Sequence, residues 1–161
     1  MVPLPAQDHP PSRRLVLSAI VGALAGLPFL ALALAAWFGN EPATQGRVII
    51  AELIYGAAAI AFLGGMRGGT AAGPYSRRRI ARELSLAALL GLAAVLALLS
   101  PPIPAIAVLI AAFLFTALWD IVSLQRHAIP AWFAAARLTL AGMALIGLLA
   151  ILAKLAMTTA I

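Results

Sequence analysis

The stretch IPAIAVLIAAFLFTALWDIV, Ile103–Val122, decides the fold. It is 20 residues long and holds one ionisable side chain, Asp120. A helix needs about 20 apolar residues to cross a hydrocarbon core about 30 Å thick. Four further apolar stretches share the chain: Leu15–Phe38, Val48–Met66, Leu84–Leu99 and Trp132–Met157. The Leu84–Leu99 run is slightly short of a full crossing. Hydrophobic residues make up 64% of the 161 and charged residues only 10%, more apolar surface than a soluble domain of this size can bury. The expected fold is therefore all-α, a polytopic bundle of five transmembrane helices forming one domain over residues 15–161. Residues 1–14 are expected to be a disordered cytoplasmic tail, with four prolines among Met1–Pro11.

Ser12-Arg13-Arg14-Leu15-Val16-Leu17 looks like a twin-arginine export signal, and Ala33-Leu34-Ala35 like a cleavage site. A signal peptide's apolar core runs only about 7–15 residues. Here it continues to Phe38 and four more spans follow, so it is read as an uncleaved first helix.

Charge distribution orients the bundle. Nine basic residues fall on one side: Arg13, Arg14, Arg67, Arg77, Arg78, Arg79, Arg82, Arg126 and Arg137. Only Arg47 and Lys154 fall on the other. The positive-inside rule then places the N-terminus in the cytoplasm and the C-terminus outside, in a bacterial inner (plasma) membrane. The net charge of +6 sits in loops beside spans, so anionic headgroups are the expected partner rather than nucleic acid. Arg77, Arg78, Arg79 and Arg82 are the expected contacts to anionic lipid.

Punctuation agrees with the boundaries. Gly39-Asn40-Glu41-Pro42 closes helix 1, and Gly68, Gly69, Gly73 and Pro74 interrupt the chain after helix 2. Ser100-Pro101-Pro102-Ile103-Pro104 makes a tight turn between helices 3 and 4, and Pro130 precedes helix 5. Pro28 lies inside helix 1 and is expected to loosen or kink it.

Small residues mark where helices approach. Gly22 and Gly26 form a GxxxG pair on helix 1, and Ala57, Ala61 and Gly65 a stripe on helix 2. Lipid supplies no hydrophobic drive between helices, so close packing must hold them. Intramolecular packing is the expected use, with a homodimer seam as the alternative.

Ionisable residues inside a membrane are functional candidates by default. Glu52, Asp120, Arg137 and Lys154 qualify, all expected nearer a surface than the midplane. Glu52, one turn into helix 2, and Lys154, in the last turn of helix 5, form a possible outer-side pair. Asp120 and Arg137 lie at the joined ends of helices 4 and 5, flanked by Trp119 and Trp132. They are expected to form an interhelical ion pair, with a headgroup site that also uses Arg67 as the alternative. No catalytic or cofactor motif is present. There is no cysteine, and His9 and His127 have no metal-ligand spacing.

Tyr55-Gly56-Ala57, Phe62-Leu63-Gly64-Gly65 and Gly69 resemble the helix-2 motif of a known family. Trp119-Asp120, Pro130, Trp132-Phe133 and Arg137-Leu138-Thr139 resemble its C-terminal motif, and Gly26-Leu27-Pro28-Phe29 its first helix. The family is the transmembrane protein 69-like group of small bacterial and mitochondrial inner-membrane proteins, domain-of-unknown-function family 3429. The resemblance spans nearly the whole chain and implies a five-helix inner-membrane protein, but no reaction. Where the family usually has His-Trp this chain has Arg67-Gly68, which argues against histidine chemistry. The expected function is a non-enzymatic accessory or assembly subunit of another membrane complex, without cofactor or metal. The alternative is a small-solute or lipid-handling protein with a cytoplasm-facing pocket.

Overall fold

The computed structural model describes residues 11–39, 41–70 and 76–159. These form five helices: α1 (Pro11–Phe38), α2 (Pro42–Thr70), α3 (Arg77–Leu99), α4 (Pro102–Gln125) and α5 (Ala131–Thr159). Each is long and apolar enough to cross a membrane, and the chain is an integral membrane protein. Every helix is longer than its apolar run. Hydropathy marks the hydrocarbon slab, whereas backbone hydrogen bonding continues into the polar interface. The largest change is at α3, which starts at Arg77 rather than Leu84. Ser76 sets that start, its Oγ accepting from the Arg79 N–H at 3.4 Å. Residues 1–10 of the expected tail lie outside the described residues; 11–14 are the first turn of α1.

The ends of α4 follow local rules. Pro102 opens it at a position whose N–H has no helical partner anyway. At its C-terminus His127 takes a left-handed φ of 51°. The Ala128 N–H then reaches Ser123 O at 2.8 Å, and the His127 N–H reaches Leu124 O at 2.9 Å. That pair of bonds is a Schellman motif, which satisfies carbonyls that the last turn leaves open.

Each helix packs against its chain neighbours, and α1 closes the ring against α5. α2 also crosses the interior to reach α4 and, more lightly, α5. Phe29 of α1 sits at the centre, fully buried, edge-on to Tyr55 of α2 at 5.0 Å and to Phe113 of α4 at 5.6 Å between ring centres. The Tyr55 hydroxyl donates to Ala25 O at 2.6 Å, one residue past the Leu24 carbonyl that Pro28 cannot serve.

The α1–α5 contact is parallel and glycine-dependent. A Cβ on Gly22 would overlap the Ala136 carbonyl, and one on Gly26 would lie 2.7 Å from Met143 Cβ. From the other side, a Cβ on Gly147 would lie 2.7 Å from Phe29 O. Gly22 and Gly26 therefore serve packing inside the chain. The helix-2 stripe is different. Ala57 is buried, but Ala61 and Gly65 are exposed, and nothing lies within 4 Å of a Cβ on Gly65. A strict i+4 spacing drifts about 40° around a helix at each step. The buried line of α2 runs instead through Glu52, Gly56, Ile60, Leu63 and Arg67, inserting a three-residue step.

Gly22→Ala is expected to lower stability in detergent by about 1–3 kcal/mol, because the neighbour it meets is backbone. Gly65→Ala should stay within about 0.5 kcal/mol of the parent. Thermal unfolding of the two variants, followed by circular dichroism, checks the pair; equal losses would place α1 differently.

Candidate functional site

Four helices bring ionisable groups to one end of the bundle. Arg67 comes from the last turn of α2, Glu83 from the second turn of α3, Asp120 from near the end of α4 and Arg137 from the second turn of α5. All four are between 1% and 6% exposed. Arg67 Nη1 donates to Glu83 Oε2 at 3.1 Å, and its Nη2 donates to Asp120 Oδ1. Arg137 Nε donates to Asp120 Oδ2 at 2.7 Å. The half-exposed Arg82 completes the set, its Nη2 3.1 Å from Glu83 Oε1. The result is a continuous chain of alternating charge, Arg82–Glu83–Arg67–Asp120–Arg137. Each oxygen of both carboxylates accepts from an arginine.

Neutral groups anchor this chain to the helices. Ser123 Oγ accepts from Arg67 Nη2 at 3.3 Å and donates to Trp119 O at 2.7 Å. Arg137 Nη1 donates to Leu63 O at 3.0 Å, tying α5 to the α2 backbone. Two guanidinium groups lie over the Trp119 ring, Arg67 at 5.6 Å and Arg82 at 5.2 Å from its centre. Phe133 lies 5.3 Å from the Arg137 guanidinium. Charge-assisted bonds of this kind are strong where water is excluded, and they satisfy groups that would each be costly alone.

The structure thus brings Asp120, Arg137 and Arg67 together. Glu83 is an addition, missed because the apolar run begins at Leu84 and left it in an arginine-rich loop. The available signal was periodicity: Glu83, Leu90, Ala94 and Ala97 share the buried face of α3. Of the four arginines expected at lipid headgroups, Arg77 and Arg78 are exposed. Arg79 instead donates to Ala128 O at 3.2 Å, and Arg82 belongs to the charge chain.

The outer-side pair of Glu52 and Lys154 does not form. Lys154 Nζ donates to Trp37 O at 3.2 Å and lies 5.7 Å from that residue's ring centre. Glu52 is fully buried, and neither of its oxygens has a hydrogen-bond partner among the described residues. Its depth explains the difference. Glu52 packs beside Gly147, near the middle of α5, and Lys154 lies seven residues, about 10 Å, further along that helix. It is an interior group, not a surface one. Among the described residues no three His, Cys, Asp or Glu gather as a metal site.

Water is excluded from the Asp120–Arg137 contact, so breaking it should cost the full buried-pair value. Asp120→Asn and Arg137→Gln are each expected to lose about 3–5 kcal/mol. Asp120→Asn should be the worse, because it frees two arginines. The double variant should lose clearly less than the sum of the singles. Strict additivity in a thermal-unfolding cycle would mean that the contact is absent in the membrane protein.

No curated protein and no solved structure matches this chain. A family model described as a protein of unknown function, DUF3429, matches residues 15–153. That match takes in all five helices, including every member of the charge chain, and the chain belongs to this family of unknown function.

Proposed function

We propose that this protein is a non-enzymatic accessory or assembly subunit of a membrane complex, held in a bacterial inner membrane with its N-terminus in the cytoplasm. One observation carries the reading. The polar groups gathered at one end are turned towards each other, with every oxygen of Glu83 and Asp120 bonded to arginine. Catalysis needs an acid, base or nucleophile presented to a substrate. These groups are used to hold α2, α3, α4 and α5 in one register. Between the charged ends the outward helix faces expose leucine, isoleucine and valine and suit lipid or the helices of a partner. Among the described helices α3 packs against α2 and α4 alone, and it exposes Leu89, Leu92, Val95, Leu96 and Leu99.

A specific observation supports a second reading. The charge chain has three arginines and two carboxylates. Arg137 Nη2 and Trp119 Nε1 are buried without a hydrogen-bond partner among the described residues. An anionic group, such as a lipid phosphate, would answer both the surplus charge and the open donors.

Native mass spectrometry after extraction in mild detergent separates the readings. A stoichiometric protein partner supports the subunit role. A retained phospholipid that is lost in Arg137→Gln supports headgroup binding instead. The orientation is tested by fusions to a reporter active only in the periplasm. Activity is expected after Ile161 and silence at Ser76; the reverse would overturn the assignment of sides.

A further inference from the structure

Glu52 has no role in the charge chain and, among the described residues, no hydrogen-bond partner of its own. It lies where α1, α2 and α5 meet, near the middle of the bundle. Phe29 and Gly147 stand beside it: a Cβ on Gly147 would be 3.0 Å from Glu52 Oε1 and 2.7 Å from Phe29 O. No neighbouring helix offers it a countercharge. On its own helix, Tyr55 donates its hydroxyl to Ala25 O. Arg47 is exposed five residues towards the helix start. On α5, Lys154 is committed to Trp37 O, and Arg137 is bonded to Asp120 at the other end. On α1, Arg13 and Arg14 lie at the far end, as do Glu83 and the arginines of α3 and Asp120 of α4. An ionised carboxylate in such a place would be unsolvated and unpaired, and groups so placed take up a proton instead.

A groove on the outer surface also approaches the Glu52 site. A groove of about 240 Å³ runs between α1 and α5 on the membrane-facing side, bordered by Leu34, Trp37, Ile146, Gly147 and Ala150. Leu34 and Ile146 are exposed on its flanks. Gly147 belongs both to the groove and to the wall of the Glu52 site. Gly147, which has no side chain, and the Phe29 backbone packed against it lie between the carboxyl and the groove.

We propose that Glu52 is a proton-binding site within the membrane, a carboxyl enclosed by α1, α2 and α5 and reached from the lipid phase through the groove floored by Gly147. The site differs in kind from the charge chain. There the carboxylates are neutralised by arginine; here the ligand that neutralises the carboxyl is a proton.

The test is reaction of the full chain, in detergent micelles or in phosphatidylcholine vesicles, with the lipophilic reagent dicyclohexylcarbodiimide. The carboxyl proton passes to a carbodiimide nitrogen and the carboxyl oxygen bonds to the central carbon. The acyl group then shifts to nitrogen. The product is a stable N-acylurea containing every atom of both reactants, with nothing released. Peptide mass spectrometry of the unaltered chain should find one adduct, on Glu52, and none on Glu83 or Asp120. Labelling should be absent in Glu52→Gln. Once the pH is high enough to remove the proton, labelling should fall about tenfold per further pH unit.

Infrared spectroscopy provides a second readout that needs no access to the groove. A carboxylic-acid C=O band should be present in the parent and absent in Glu52→Gln. Absence of that band at neutral pH would overturn the proton site. The band without labelling would overturn the groove as its entrance. Protection from labelling by sodium at constant pH would replace the proton with a metal cation and overturn the proposal as stated.

Discussion

A carboxylate inside a lipid bilayer must be answered by charge, and the bundle is organised around how Glu83 and Asp120 are answered. Helices in lipid gain little from burying apolar surface against each other, because the acyl chains are equally apolar. Leucine and alanine faces alone therefore leave many rotations and registers close in energy. The Arg82–Glu83–Arg67–Asp120–Arg137 chain removes that freedom. A one-residue rotation of α3 or α5 would withdraw Glu83 or Arg137 from its partner and leave a buried charge exposed to hydrocarbon. Arg67 holds α3 and α4, and Asp120 holds α2 and α5, so the four helices are specified together rather than in pairs. The bonds from Arg137 to Leu63 O and from Ser123 to Trp119 O extend this restraint to the backbone.

α1 stands outside this electrostatic frame and is attached by closeness. Gly22 and Gly26 on α1, and Gly147 on α5, bring the two backbones to distances at which a methyl group would not fit. Dispersion is weak per atom pair and falls steeply with separation, so the gain depends on that approach. Two devices thus hold one bundle: complementary charge for α2 to α5, and missing side chains for α1 on α5.

The legibility of these devices in the sequence differs residue by residue. The five spans are plain because a run such as Ile103–Val122 has no other solvent. Asp120 and Arg137 can be paired from sequence because consecutive helices joined by a short loop must bring those ends together. Gly22 and Gly26 are readable as packing residues because their four-residue spacing stays on one face over a single step. Over two steps it does not, and Gly65 has turned away from the line of Ala57. Glu83 escaped because apolar content and helical hydrogen bonding end at different residues. Glu52 was misplaced because the sequence does not say which level of the neighbouring helices it meets. It packs beside Gly147, near the middle of α5. Lys154 then lies on the same face of α5 as Gly147 but about 10 Å further along, beyond reach of the carboxyl. Side and face could be read from the sequence; depth could not.

The two kinds of acid divide the bundle mechanically. At the end that carries the charge chain, any movement must break several charge-assisted bonds together, and local opening there carries a large part of the global unfolding cost. Towards the other end the contacts around Glu52 are Phe29, Gly147 and apolar side chains. The polar contacts nearby are neutral hydrogen bonds from Tyr55 to Ala25 O and from Trp37 to Ala150 O, with Lys154 on Trp37 O beyond them. Separation of α1 from α5 at that level breaks no ion pair. A change in the state of Glu52 would alter the electrostatics of a contact held by close packing and hydrogen bonds rather than by ion pairs. An integral membrane protein built this way keeps its register by ion pairs at one end and by close backbone approach along α1 and α5. The partition follows from which carboxylates found an arginine: Glu83 and Asp120 did, and Glu52 did not.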